Sequence, residues 1–361
     1  MKRNLLSFAL LAGLSASVFS CSKDDTTSAP VIPPSDGDTA YVLNGIISTE
    51  AGSVAGNSVF LDFSTATQTP IARTSWDLGF YTGNDFRVII NNTTGATAKA
   101  LTKTDITAVT TADTTGFKTT LQLGMGLGTF SIVDNVEGNL DSTVIAQISA
   151  TEANNYVYII RPTNGSASAE KDWYKVKITR SGSDYQLQYA KLSETTIKTI
   201  TISKDANYNF KYVSFDNNAI ASVEPAKAAW DLEWTYTTYK SGTIPYPFAD
   251  FVYINNQAGV TAAELVYANA DARNTAYTNY TDSSIASTTF SNSKTAIADK
   301  WRVASAPPGS GLVVGVRTDR FYVIKDAAGN VYKLKFISFI TQDGGTRGKP
   351  KVEFKLVKKG S

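Results

Sequence analysis

An all-β fold in two tandem copies is what this chain predicts, and three features of the sequence predict it. One block of residues occurs twice, helix-forming stretches are nearly absent, and short runs of β-branched and aromatic residues alternate between segments rich in Thr, Ser, Asn and Gly. Trp76-Asp77-Leu78 leads through Phe86-Arg87-Val88-Ile89-Ile90 to Asn91-Asn92, Gly95 and Leu101. Trp230-Asp231-Leu232 leads through Phe251-Val252-Tyr253-Ile254 to Asn255-Asn256, Gly259 and Leu265. A closing echo follows each block. Tyr158-Ile159-Ile160-Arg161, Tyr174-Lys175-Val176-Lys177 and Lys191-Leu192 return as Tyr322-Val323-Ile324-Lys325, Tyr332-Lys333-Leu334-Lys335 and Lys355-Leu356. The spacings 251 − 87, 322 − 158 and 356 − 192 all equal 164. The Trp-Asp-Leu pair is offset by 230 − 76 = 154, so the second copy holds ten extra residues between its Trp and its Asn-Asn. Matching strands with length changes confined to turns mark a duplicated domain.

A chain of 361 residues is long enough for two cores. Lys+Arg 34 against Asp+Glu 32 leaves a net charge of +2, which argues against nucleic acid as a partner. Histidine is absent and Cys21 is the single cysteine. There is therefore no imidazole base, no His-ligated metal and no intrachain disulfide, which removes most enzyme designs. A carboxylate enzyme remains conceivable on paper, but no acid pair stands out in the repeated blocks, and the expectation is a protein that is not an enzyme.

In chain order, residues 1–20 read as a signal peptide. Lys2 and Arg3 precede an apolar run from Leu5 to Phe19 that is too short to span a membrane. Cys21 directly after it resembles a bacterial lipobox, whose thiol is acylated. Ser22-Lys23-Asp24-Asp25 resembles the acidic signal that sends such lipoproteins to the cell surface. Acyl chains would tie the protein to the outer membrane. Residues 21–40, with Pro30, Pro33, Pro34 and Gly37, read as a flexible tether. Residues 41–195 and 196–361 then read as the two β-domains, joined near Ser193 to Thr196. Val59 to Phe63, Lys175 to Ile178 and Tyr185 to Tyr189 read as strands, and Phe210 to Phe215 echoes Phe60 to Phe63. Helical turns are expected only at places such as Thr261 to Asn269.

At these residues the sequence resembles the HmuY-like family of Bacteroidetes surface lipoproteins, whose founding members bind haem. The resemblance rests on the Trp-Asp strand starts, the Arg/Asn-containing strand that follows, and the closing hairpin. Phe321 to Phe336 followed by Lys351-Val352-Glu353-Phe354 is the most family-like segment. It covers essentially the whole mature chain, once per copy, where founding members carry one domain. It implies two HmuY-like β-sheet domains with long loops and few short helices, and haem gripped between two loops by His or Met axial ligands. Haem, a haem-carrying protein and an outer-membrane receptor are the implied partners, and iron acquisition the implied role. The axial ligands do not carry over. No His exists, and the loop from Trp301 to Gly311 has Ala306 where the ligand would fall. Met125, in Gly124-Met125-Gly126-Leu127-Gly128, is the only mature methionine and the candidate iron ligand, with a Tyr as second ligand. The same Met125 also suits an apolar plug beneath a loop.

Trp230, Leu232, Trp234 and Tyr236 alternate with Asp231, Glu233 and Thr235, placing four large residues on one face of a strand. The inserted residues add Tyr239, Tyr246, Pro247 and Phe248. This aromatic excess belongs to the second copy alone, so the shared scaffold does not require it. Trp234, Tyr236, Tyr239, Tyr246 and Phe248 are accordingly the candidate ligand-binding residues, with the 301–311 loop as the opposite wall. The alternative is that this strip docks a glycan, a partner protein or the first domain. Trp76-Asp77 and Trp230-Asp231 read as structural, the indoles filling each core and the carboxylates facing outward or capping a turn. Thr129 to Val133 reads as a strand, which excludes a phosphate-binding role for the glycines before it. Asp134, Glu137, Asn139 and Asp141 match no calcium-loop spacing and read as a solvated turn. Lys349, Lys351, Lys355, Lys358 and Lys359 read as guards on an edge strand.

Overall fold

The structure, a computed structural model, describes residues 39–124, 126–164 and 168–360. The signal peptide, Cys21, nearly all of the tether and Met125 lie outside the described residues. Strands labelled in chain order form four larger antiparallel sheets and one ribbon. One five-stranded sheet runs β1 (Thr39–Val42), β20 (Lys351–Lys358), β19 (Val331–Ser338), β18 (Arg320–Lys325), β15 (Thr261–Val266). Its counterpart runs β10 (Lys198–Ile202), β9 (Asp184–Lys191), β8 (Tyr174–Ser181), β7 (Tyr158–Arg161), β6 (Thr97–Ala100). One four-stranded sheet runs β3 (Thr67–Ala72), β2 (Asn57–Asp62), β13 (Leu232–Ser241), β14 (Ile244–Ile254). The other runs β12 (Ala219–Ala221), β11 (Phe210–Ser214), β4 (Leu78–Tyr81), β5 (Val88–Ile90). β16 (Arg302–Val303) and β17 (Gly315–Val316) make the ribbon. The described α-helices are α1 (Phe117–Thr120), α2 (Ala270–Asn279) and α3 (Asp282–Ile285), so the all-β expectation holds.

The two repeats exchange their leading hairpins. β2–β3 precedes the first Trp-Asp-Leu but pairs with β13, the second repeat's Trp-Asp-Leu strand, in the register Leu61↔Leu232. β11–β12 precedes the second but pairs with β4, in the register Val213↔Leu78. β1 likewise pairs with β20, and β10 with β9 across the join at Ser193 to Thr196. One core therefore gathers Val59, Leu61 and Phe63 with Leu232, Trp234, Ile254, Tyr332 and Phe354. The other gathers Leu78, Phe80, Val88 and Leu187 with Ile202, Val213 and Phe215. Strand alternation explains the split of faces: Val213 and Phe215 enter the core while Tyr212 turns to the opposite side.

The repeated Asp latches this exchange. Asp77 Oδ2 accepts the backbone N–H of Phe215 at 2.7 Å, and Asp231 Oδ2 accepts that of Phe63 at 2.9 Å. Both carboxylates are buried rather than facing outward, because each is the acceptor for a buried N–H of the other repeat's hairpin. The repeated Asn completes the corner: Asn91 Nδ2 donates to Trp76 O, and Asn255 Nδ2 to Trp230 O, each at 2.8–2.9 Å. Each Trp packs edge-on against the exchanged hairpin, Trp76 on Tyr212 and Trp230 on Phe60, with ring centroids 4.8 and 5.1 Å apart. Neither indole enters one of the two large cores; both line the space between the four-stranded sheets.

Three local expectations change. Thr261–Val266 is a strand, since Ala262 and Ala263 are buried against β18, and the helix begins only after Asn269, whose Oδ1 caps Ala272 N at 2.9 Å. Phe130–Ile132 is a 3₁₀ turn that drops Ile132 into a satellite core beneath β7. The basic tail strand β20 is no edge over its first half, where β1 covers Lys351 to Phe354.

Candidate functional site

The ten residues inserted in the second repeat lengthen its β13–β14 hairpin. β4 and β5 have four and three residues, whereas β13 and β14 have ten and eleven. A register shift between Thr235 and Thr237 bends β13, so the aromatic residues do not stay on one face. Trp234 points into the large core and is 1 % exposed. Gly45 crosses so close that a Cβ there would overlap the Trp234 ring. The Trp234 indole is thus sealed away from any ligand. Tyr239 turns to another side, against Phe251 and with its hydroxyl donating to Glu137 Oε1 at 3.2 Å.

The remaining three predicted residues, Tyr236, Tyr246 and Phe248, share one open groove of about 500 Å³. Its opposite wall is the expected loop, through Arg302, Val303, Ala304, Ser305 and Leu312. That volume is in the range of small-molecule and cofactor sites. The loop starts from Trp301, fully buried and stacked on Phe336 at 4.2 Å. Beyond this anchor Leu312 and Val313 are 45 % and 82 % exposed, and Leu312 lines the groove.

Three arginines, which sequence reasoning did not single out, complete the groove: Arg302, Arg317 and Arg347. No carboxylate lines it among the described residues. Asp250, behind the wall, organises two of them. Its left-handed backbone (φ 56°) presents its carbonyl to Arg302 Nε at 3.0 Å and Trp301 Nε1 at 3.2 Å. Its Oδ2 accepts from Arg347 Nε at 3.0 Å. Burial pushes the Asp250 carboxyl up and the Arg302 guanidinium down, and each charge opposes the other's shift. The Arg317 side chain makes no ion pair among the described residues. A groove with aromatic walls and an excess of guanidinium can hold a flat apolar molecule that carries carboxylates. The one signal available for the arginines was Arg302 beside Trp301; Arg317 and Arg347 lie on segments that only folding brings there.

A family model described as HmuY protein matches residues 55–190 and 163–354. The chain belongs to the HmuY family. Each match contains one Trp-Asp-Leu strand, consistent with two tandem HmuY copies. No curated protein and no solved structure matches the chain. HmuY proteins form a haem-binding surface family, a family of binders rather than catalysts. Among the described residues no helix is long and apolar enough to cross a membrane, and no group of His, Cys, Asp and Glu is placed to hold a metal ion. The groove suits the flat face and the two carboxylates of haem. For iron, its lining among the described residues offers no His, Met or Cys, only the phenols of Tyr236 and Tyr246, and the Tyr236 ring already lies 4.8 Å beneath the Arg73 guanidinium.

Proposed function

We propose that this HmuY protein is a lipid-anchored capture protein of the cell surface that takes haem into the groove between β14 and the 302–312 loop. The observation that carries the reading is the lining: Tyr236, Tyr246 and Phe248 facing Arg302, Arg317 and Arg347 with no carboxylate among them. Capture is sequestration. The porphyrin face leaves water against the aromatic wall, at roughly 25 cal/mol per Å² of apolar area covered. Its propionates meet guanidiniums already oriented by Asp250 and the Ala249 and Asp250 carbonyls, so little side-chain freedom is lost on binding. Affinity comes from the ring and its carboxylates, with the iron met by Tyr246, Met125 or no side chain. Acylation at Cys21 would hold the capture site at the outer membrane, where an outer-membrane receptor or a haem-carrying protein is the partner for transfer.

A titration with micromolar hemin tests this. The Soret band should shift and saturate, and iron-free protoporphyrin IX should quench tryptophan emission with comparable affinity. Arg317→Ala should weaken both by roughly three- to tenfold, the worth of one charge-assisted contact at a partly exposed site. Absence of a Soret change at micromolar hemin sinks the reading. Retention of a glycan or a protein by the unliganded groove would put the docking alternative in its place.

A further inference from the structure

A second cavity, of about 90 Å³, lies between the two four-stranded sheets. It draws on both repeats. Trp76 and Trp230 occupy equivalent positions around it, with Phe60 and Tyr212 set edge-on against them. Exposed Asn139 and Gln257 stand at its mouth.

The polar part of the lining is unbalanced. Asp134, Glu224 and Glu233 face Arg73 and Lys294. Arg73 is occupied by the carbonyls of Ala55, Val54 and Thr93, and the Lys294 ammonium lies 4.2 Å from the centre of the Tyr253 ring. Asp134 takes the backbone N–H groups of Ile90 and Val144, and Glu224 those of Asn209 and Phe210. Glu233 takes no backbone N–H among the described residues; the Ser58 hydroxyl and the charge of Lys294 are what favour its ionised form, so of the three it is the carboxylate least tied to the main chain. Independently, Trp230 is 6 % exposed and its Nε1–H has no hydrogen-bond partner among the described residues. A buried N–H left without an acceptor is costly, so it marks the place of one.

We propose that the inter-repeat cavity binds a small amino alcohol in its ammonium form. Aromatic faces and Glu233 would hold the cation, and the hydroxyl oxygen would accept the Trp230 N–H. Size agrees: a cavity of about 150 Å³ holds benzene, so about 90 Å³ suits some four heavy atoms. Ethanolammonium has that number. The site is separate from the groove, and it stands whether or not haem binds there.

The test titrates the full mature chain, ¹⁵N-labelled at tryptophan, with ethanolammonium chloride at constant ionic strength. The indole N–H resonance assigned to Trp230 by Trp230→Phe should move downfield and saturate. Ethylene glycol, with the same heavy-atom count and no charge, should bind at least tenfold more weakly. Glu233→Gln should lose at least tenfold in ethanolammonium affinity. Equal response to the two compounds, or no movement of the Trp230 signal at 100 mM of either, would overturn the proposal. The comparison of compounds on the unaltered chain decides even if Glu233→Gln fails to fold.

Discussion

Cutting the chain at the boundaries of its repeats should destroy a domain that cutting elsewhere preserves. A fragment of residues 41–195 contains one complete repeat, yet it lacks β10 and β11, which complete the core around Leu78 and Leu187. Three core side chains go with them: Ile202, Val213 and Phe215, each no more than 1 % exposed. Loss of a buried Phe costs about 3–5 kcal/mol, of a buried Ile about 2–5, and of a buried Val about 1.5–3. The total, roughly 7–13 kcal/mol, is comparable to the whole stability of a typical domain, about 5–15 kcal/mol. The fragment also keeps β2–β3 without its partner β13, exposing Val59, Leu61 and Phe63. Residues 73–225 instead hold β4 to β12 and that entire core. Amide-proton dispersion and thermal melts of the two fragments are the assay. The expected result is a cooperative melt for 73–225 and none for 41–195. A folded 41–195 alongside an unfolded 73–225 would refute the exchange of hairpins.

Trp234→Ala should cost about 3–5 kcal/mol in denaturant unfolding, because the indole is sealed in the core; a neutral effect would return it to the ligand-binding set. Asp77 gives a pH dependence of known sign. Burial raises its pKa from 3.8 to about 6, against the pull of Lys171. The native state therefore binds this proton where the unfolded chain has lost it, so its stabilising share is complete below pH 3.8 and disappears as pH rises through about 6. The difference is worth roughly 3 kcal/mol. Asp77→Asn, which keeps an oxygen for the Phe215 N–H, should flatten the stability profile between pH 4 and about 6; an unchanged slope would exclude Asp77 as its source. Glu224, raised by burial to about 7, should extend the same fall of stability toward neutrality, and Glu224→Gln should remove that extension.

The duplicated scaffold was legible because its signals are local. Alternation along β8 and β9, the Trp-Asp-Leu strand starts and the 164-residue offset all follow from short-range pattern. The exchange was invisible for a physical reason. Phe60 and Tyr212 are near-equivalents, as are Leu61 and Val213, so either hairpin satisfies either Trp-Asp-Leu strand by pattern. Only chain geometry chooses between them, and a sequence read along its length carries no measure of that. The candidate site divides along the same line. The ten inserted residues and their aromatics were visible as an excess over the repeat, and they do build a wall of the groove through Tyr246 and Phe248. Which of them face it depends on the register shift after Thr235, which moves Trp234 and Tyr239 to different sides. The arginines opposite come from three separate segments and acquire meaning only once Asp250 turns them toward one space. Exchange and insertion together explain why one copy departs from the other. Each Trp-Asp-Leu strand is clamped by a hairpin of the opposite repeat, so the scaffold holds at β13 whether or not that strand is extended beyond Trp234. The second repeat's longer hairpin runs on over Asn92 and Glu137 of the first, with Thr237 and Thr238 buried on the way, and the groove lies where it meets the 302–312 loop.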